Sequence, residues 1–525
     1  MISKIEKQKI RKVIFNHLDG FSISAIINSF NKNKLTSFLR TNKTFDTYML
    51  QKKFSFNVGY MNVALRLLSS QGLINQKIIS DGKNISYHIT KKGLHFFNYF
   101  DEYNFCIDYF LECVNNKLMF HKNINSKHYL LLEELLKLSK LHWGLDKNIK
   151  YNKEIISHLN GILISPIITS LAYNNLLNQN KLNYIVKTYD KFKIILKILS
   201  IEGWIDNEYN ITKQGKYAFK IASAYGVTVS YLPTFIKTNE LIFGNSEILK
   251  INTNIKKEIH VNRPLNVWAS GGSHKTYFKY IDLIVLKIFN KPIEKQPIGI
   301  ADMGCGDGTF ILHLNELIKK TKRYKYIKEF PLKFIGADYN NEALKETDKN
   351  LKENFIDYTL IKADISNPNH FNKKVKELLN LNLNDFLNVR TFLDHNRVFS
   401  EPKNNFTNIS ESSCCFSSKG RWISNSMLES NLIEHFLKWK PYISKHGLIL
   451  LELHSIDPKL CSMLIGRSLS IPYDATHGFS DQYILELDRF IECVKKSGLK
   501  IDFENSFKFP NNESATISIN YINQR

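Results

Sequence analysis

In the C-terminal half of the chain, short apolar runs alternate with stretches of helical rhythm. Ile298–Met303, Phe334–Ala337, Thr359–Lys362, Asp385–Phe392 and Leu448–Leu453 are runs of strand length, with helix-forming sequence between them. Such runs suit strands buried on both faces. Strands alternating with helices predict a doubly wound parallel sheet. The N-terminal half reads differently. "YLLLEELLKLSKLHWGL", Tyr129–Leu145, carries a 3.6-residue apolar rhythm and predicts a helix.

A weak repeat flanks that helix. "ALRLLSSQGLINQKIISDGKNISYHITKKG", Ala64–Gly93, is echoed by "ILKILSIEGWIDNEYNITKQG", Ile195–Gly215. Each copy holds a helical stretch, a glycine placed as a helix C-terminus, a polar turn, a short strand and Thr-Lys-x-Gly. Asp81-Gly82 fits a hairpin turn. The pattern is that of a winged helix. It divides the chain into a winged module over 1–105, a helical bridge and second winged module over 106–225, a connector over 226–265 and an α/β domain over 266–525. Winged helices bind DNA or act as dimerisation and lid modules. The helices before these wings show no dense Arg/Lys face, which favours a scaffold and leaves a homodimer open.

Composition narrows this reading only slightly. A length of 525 residues suits about three domains, and 43% apolar with 23% charged residues is ordinary for a globular protein. No uninterrupted apolar run reaches the ~18 residues of a membrane helix, so no membrane is expected. The basic N-terminus lacks the apolar core and cleavage site of a secretory signal. Seven cysteines without a CxxC pair argue against zinc and disulfide frameworks, so the expected location is cytoplasmic. A net charge of +23 raises nucleic acid as a partner. The lysines are scattered, however, and Asn and Ile are equally abundant. Nucleic acid is therefore not favoured, and an acidic protein or phosphorylated carrier suits the charge as well.

The chemistry starts at "IGIADMGCGDGTFILHL", Ile298–Leu314. The first strand ends at Asp302, and Gly304, Gly306 and Gly308 form GxGxG. In open α/β sheets, ligands bind at the carboxyl ends of strands, and glycines let a ligand approach the backbone. Thr309 occupies the position where a dinucleotide motif has its last glycine, and no Lys-Ser/Thr follows as in a P-loop. An acid before the loop would repel a pyrophosphate and suits an ammonium. The next strand ends at Asp338, placed for ribose hydroxyls. The third ends at Asp364-Ile365, placed for the amine and ring of an adenine. Three strands ending in acids, with GxGxG after the first, resemble the Rossmann-like class I S-adenosylmethionine (SAM)-dependent methyltransferases.

A second cluster lies where that fold holds its acceptor. "NDFLNVRTF" runs into "LDHNRVF", "HGLILLELHS" ends near His454, and "YDATHGFSDQYILE" precedes a final helix. Asp, His and Gln without thiolates suit iron(II), manganese(II) or magnesium rather than structural zinc. Asp394 is read as a metal ligand, and His395 as a proton acceptor or orienting group. A hydrogen-bonded Asp394-His395 turn, a cap at His477 and a core role for His454 are the plainer readings. His477 and Gln482 are five apart, roughly 140° around a helix, so a shared ion requires a bend between them. Arg390 and Arg397 suit a carboxylate or phosphate of the acceptor. The Asn/Ser-rich segment Glu401–Ser418 reads as a lid or a loop.

"LNVRTFLDHNRVF", "THGFSDQYILE", "VWASGGSHKTYF" and "DMGCGDGTFILHL" together resemble the metal-dependent C-methyltransferases of apratoxin-type polyketide loading modules. The resemblance spans about residues 225–500. It implies iron- or manganese-assisted carbon methylation of a malonyl-type acyl group on a carrier protein, with Asp394, His477 and Gln482 as metal ligands. It also assigns Ser270, Gly271, Gly272 and His274 to a segment closing over the cofactor. No carrier serine motif, ketosynthase or acyltransferase accompanies it here. The expected acceptor is therefore a separate acyl carrier protein, a coenzyme A ester or a free acid. Arg390, His395 and His454 are the expected catalytic residues, with a histidine removing the acceptor's proton. Metal-free O- or N-methylation of a small molecule is the alternative, and methylation of nucleic acid a more distant one.

Overall fold

A computed structural model of the chain describes residues 2–122, 124–249 and 258–524, with the side chains of 80 and 272–275 excepted. It forms two compact units. The first comprises Met1–His274, Cys415–Ile423 and Asp457–Asp481; the second comprises Lys275–Cys414, Ser424–Ile456 and Gln482–Arg525. In chain order the strands are β1 (Thr44–Asp46), β2 (Ile74–Ile79), β3 (Asn84–Ile89), β4 (Gly299–Met303), β5 (Lys333–Asp338), β6 (Tyr358–Lys362), β7 (Leu387–Thr391), β8 (Phe416–Ser418), β9 (Arg421–Ile423), β10 (Leu448–Leu453), β11 (Leu499–Phe509) and β12 (Ile517–Gln524).

The first unit is mainly helical, with a winged module as expected. The helix Val58–Ser70 leads into β2 and β3, which pair antiparallel with β1 outside β3. Asp81 and Gly82 both have positive φ, 59° and 87°, as the predicted tight turn requires. The repeated Thr-Lys-x-Gly is a helix start. Thr90 and Thr212 accept hydrogen bonds from the amides of Gly93 and Gly215 at 2.9 and 3.0 Å. A Cβ on either glycine would strike the carbonyl of Leu73 or Trp204, so each helix begins against the preceding backbone.

The second wing shrinks to a single bridge, Ile205 to Ile211, because Asp206 closes the intervening turn on the amides of Glu208 and Asn210. Within residues 226–265, read as a connector, lie short helices at Gly226–Ser230, Leu232–Ile236 and Thr238–Phe243. The helix Asn152–Tyr173 is long and apolar enough to cross a membrane by length and composition, and 83% of its most apolar window is buried.

The second unit is the expected doubly wound sheet, in the order β11-β12-β10-β7-β4-β5-β6. β10, β7, β4, β5 and β6 are parallel, and β12 is antiparallel to both β10 and β11. The strand order reverses between β4 and β7, so the carboxyl ends of these two strands flank the crevice where such sheets bind ligands. The alternation of strand and helix did not mark β11 and β12. β11 slips register between Asp502 and Phe507, so its apolar residues keep no regular period. The division falls within the helix Arg263–Phe289, and residues 415–423 and 457–481 leave the α/β sequence to join the first unit.

Candidate active site

β4 delivers Asp302 to the crevice, and the chain turns at once. Gly304, Gly306 and Gly308 take φ of 81°, 59° and 78°, and Gly308 caps the helix Thr309–Ile318. These values lie in the left-handed region that side chains disfavour. The loop is tied to the next strand: the amides of Gly304 and Cys305 donate to the Ala337 carbonyl at 2.7 and 3.0 Å, and the Gly306 amide donates to Asp338 Oδ2 at 3.3 Å. Around Gly306 a Cβ would meet open space, so the backbone there is accessible to a ligand.

Asp302 is 1% exposed, and its Oδ1 has no hydrogen-bond partner. Burial, with Asp338 and Asp307 nearby, pushes its carboxyl up to about 7. An orphaned acid beside an open glycine turn suits an ammonium ligand. Asp338 Oδ1 accepts the Asn340 amide at 2.8 Å. Asp364 is exposed and accepts the Ser366 amide, while Ile365 is buried, its carbonyl held by Trp439 Nε1 at 2.8 Å. Asp302, the glycines, Asp338 and Asp364-Ile365 thus share one end of the sheet in the expected order. Ser270 and Gly271 lie in the helix Arg263–Phe289 on its first-unit side, and Ser270 Oγ donates to the Val267 carbonyl. The His274 side chain is outside the described residues.

β7 and β10 build the other half of the crevice. After Thr391 the chain makes a short turn, Asp394–Asn396, so Asp394 and His395 do not simply alternate as they would in a strand. His395 donates its backbone amide to Glu452 Oε2 at 3.0 Å, and its Nδ1 lies 2.5 Å from Glu452 Oε1. Glu452, on β10, also accepts the Leu453 amide at 2.7 Å. A carboxylate held on three sides fixes the imidazole as the tautomer with Nδ1–H, which leaves Nε2 as the basic nitrogen. A cavity of about 10 Å³, room for one water, is lined by residues that include Asp394, His395, Glu452 and Tyr483.

Three expected residues have surroundings that do not suit the roles expected of them. Asp394 is not placed as a metal ligand. It is 1% exposed, with Oδ2 3.3 Å from Arg390 Nε and Oδ1 3.1 Å from His435 Nε2. Burial raises its carboxyl, but Arg390, His435 and Arg397 outweigh burial and hold it below the usual range. A buried carboxylate already paired with a guanidinium and an imidazole, with the Arg397 guanidinium on its own backbone carbonyl, does not attract a further cation. Arg390 serves this cage and stacks 4.5 Å over Trp439, so it is not presented to an acceptor. His454 is not a proton acceptor either. It is 1% exposed, its Nε2 accepts from Ser518 Oγ at 2.6 Å, its Nδ1 faces the Leu485 carbonyl, and burial lowers it to about 4.

Two residues escaped the sequence reading. Glu452 is an acid within the apolar run "LILLELHS", a usual sign of a buried partner. His435 lies in the helix Asn425–Ile443 with no motif around it.

Gln482 is in the second unit, and its Nε2 donates to Asn396 Oδ1 at 2.9 Å. His477 belongs to the first unit, near the end of the helix Ser470–Gly478. Its Nδ1 lies 2.7 Å from the Tyr473 carbonyl, which fixes the tautomer with the lone pair on Nε2. Metal-ligating histidines are held this way, so His477 fits a divalent ion, as does the oriented amide of Gln482; Asp394 does not. Among the described residues, no group of three His, Cys, Asp or Glu side chains could hold a metal.

Sheet order, glycine turn and strand-end acids together define a class I SAM-dependent methyltransferase with an N-terminal helical region and a winged-helix domain. Comparison with known families agrees. Residues 258–520, half of the chain, match the family described as AprA MT2-like domain. Residues 10–76 match the AprA N-terminal domain, and residues 160–245 match the AprA winged helix domain. The chain therefore belongs to the AprA MT2-like methyltransferase family.

Among solved structures it is similar to the mitomycin 7-O-methyltransferase MmcR, at 9% identity over 71% of this chain and 97% of that one, TM-score 0.41. It is also similar to the DszA carbon methyltransferase, at 12% identity over 75% and 94%, TM-score 0.33. A third is the plantazolicin methyltransferase BpumL in complex with SAH, at 14% identity over 53% and 94%, TM-score 0.28. No curated protein sequence matches the chain.

Proposed function

We propose that this methyltransferase alkylates carbon. Its acceptor is the acidic carbon of a malonyl-type or other dicarbonyl acid, either free or on an acyl carrier protein, in cytoplasmic natural-product biosynthesis. The observation that carries this reading is the His395–Glu452 pair, a buried imidazole held at 2.5 Å by a carboxylate at the crevice. A carbon acid must lose a proton before it can be methylated, and an imidazole oriented by a carboxylate is suited to accept one.

SAM, when bound, would supply the methyl group from its sulfonium, leaving S-adenosylhomocysteine. Asp302 would hold the ammonium of the amino-acid portion, Gly306 would admit it to the backbone, Asp338 would take the ribose, and Asp364 with Ile365 would take the adenine. His395 Nε2 removes the proton from the acceptor carbon. Glu452 keeps Nδ1 protonated and stabilises the imidazolium that forms. The carbon lone pair then makes the new C–C bond. Fixing donor and acceptor together supplies a large share of the rate.

His477 in the first unit and Gln482 in the second are each suited to a divalent ion, iron(II) or manganese(II), which would supply Lewis-acid polarisation of an acceptor carbonyl. The caging of Asp394 favours a second reading, metal-free O- or N-methylation of a small molecule.

The test is mass spectrometry of malonyl- and methylmalonyl-carrier substrates after incubation with the protein, SAM and Fe(II) or Mn(II), with and without chelator. A gain of one or two methyl groups that chelation abolishes supports metal-assisted C-methylation. Full activity after chelation selects the metal-free route, and no gain on either acid refutes the carbon acceptor.

A further inference from the structure

The helix before the first wing is where a winged helix that reads DNA would present its contacts. Here every residue of Val58–Ser70 except Val58 is buried. Much of what covers it comes from far along the sequence, from the two segments 415–423 and 457–481 that belong to the first unit.

The contacts follow the helix turn by turn. Tyr60 Oη donates to Asp481 Oδ1 at 2.8 Å, and its ring lies 5.8 Å from that of Phe479. One turn later, Val63 packs on Gly478 so closely that a Cβ there would sit 2.6 Å from Val63 Cγ1. One turn further, Arg66 pairs with Asp474, the two side chains 4% and 9% exposed. Positions 60, 63 and 66 thus meet 481, 478 and 474 in antiparallel order. His477 lies between the two polar clamps. The β8–β9 ribbon adds a backbone bond from the Gly59 amide to the Gly420 carbonyl at 2.9 Å, and the Lys419 amide bonds Asp481 Oδ2 at 2.9 Å.

We infer that the Val58–Ser70 helix is the support of the His477 segment, with Arg66 and Tyr60 as positioning residues and Gly478 as the contact that lets the segment seat. The winged module is then a working part of the methyltransferase and not a separable nucleic-acid reader. The positioning role rests on the proposal that His477 holds a divalent ion; the support itself does not. The physical reasons are specific. A buried Arg–Asp pair fixes geometry because breaking it strands a charge. A β-branched valine in a helix has essentially one rotamer, so Val63 cannot swing away from a side chain at 478.

The test uses the full-length protein and the variants R66M, Y60F, H477A, G478A and V63A/G478A. Three quantities are measured: deuterium uptake by peptides covering 470–481 and by peptides from β4 to β7, the Kd for Mn(II), and the Kd for S-adenosylhomocysteine. R66M and G478A are expected to speed exchange in 470–481 at least tenfold and to weaken Mn(II) at least tenfold. The S-adenosylhomocysteine Kd should stay within twofold. Y60F gives a smaller change of the same sign if R66M does not fold. V63A/G478A restores exchange and Mn(II) affinity, which a general loss of stability would not produce. Unchanged exchange at 470–481 in G478A and Y60F, or failure of V63A to rescue, overturns the support. H477A with wild-type Mn(II) affinity refutes the ligand reading and the positioning role with it, and exchange alone then decides the support.

Discussion

Replacing Asp302 with asparagine separates what the site does for the ligand from what it costs the fold. The Asp302 carboxyl is raised from 3.8 to about 7, chiefly by burial and then by Asp338 and Asp307. An acid raised in this way keeps its proton in the folded state at a pH where the unfolded chain has released it. Stability is therefore lost as pH rises from about 4 to about 7. A shift of about 3 units corresponds to about 4 kcal/mol, an upper value for the penalty on the ligand-free protein above pH 7. The asparagine side chain carries no charge to bury, so at pH 8.5 the variant should be more stable than wild type by up to that amount. At pH 5.5 the two should be closer. Ligand binding should run the other way. An ammonium favours the ionised carboxylate, so wild-type affinity for S-adenosylhomocysteine should rise with pH to about 7 and then flatten. The variant should lose about 1.5–3 kcal/mol, the usual range for a hydrogen bond to a charged group, and most of its pH dependence. Thermal melts at pH 5.5 and 8.5, with calorimetric titrations in buffers of different ionisation enthalpy, read both effects and count the proton released. Wild-type affinity that does not change between pH 5.5 and 8.5, or an asparagine variant that binds as tightly as wild type at pH 8.5, refutes the ammonium role.

Glu452→Gln should lower kcat about 100-fold, at the low end of what a general base contributes, with S-adenosylhomocysteine affinity within twofold of wild type. Single-turnover kinetics read this directly, and an unchanged kcat would remove Glu452 from the proton transfer. Arg489→Met breaks a different buried pair. Arg489 bonds both oxygens of Glu429 at 2.8 and 2.9 Å, and Glu429, 1% exposed, also holds Ser410. Stranding that carboxylate should cost about 3–5 kcal/mol in denaturant unfolding, and a loss below about 1 kcal/mol would mean that water reaches Glu429.

The parallel strands were legible because each is built on a short apolar run, and β4, β5, β6, β7 and β10 fall on the expected runs. The glycine turn was legible for the same physical reason: GxGxG after a buried strand has few other uses. Side-chain partners were not. The LDHN stretch carries no mark that Asp394 turns to Arg390 and His435, whereas the neighbouring His395 turns to Glu452 on another strand. Those choices depend on the turn Asp394–Asn396 and, for His435 and Glu452, on contacts more than forty positions away in sequence. The Ser-rich segment before β8 read as a lid or a loop. It is bonded to Glu429 and Glu486 through Ser410, Ser412 and Ser413, acids that lie 19 to 74 residues further on.

Three buried carboxylates at the same end of the sheet show why partners, and not residue type, decide role. Asp394 faces Arg390 and His435 and stays ionised, so its charge is spent on holding the cage together. Glu452 faces His395 and two backbone amides, so its charge orients a base. Asp302 has no cation beside it, with Asp338 and Asp307 nearby, and takes up a proton near neutrality. Of the three, only Asp302 stands to gain a cationic partner from outside the chain. A cationic cofactor entering at the glycine turn would relieve the burial cost that the ligand-free fold carries. The binding energy at that position is then partly the recovery of a strain already present, which is why the stability and the affinity of the Asp302 variant should move in opposite directions.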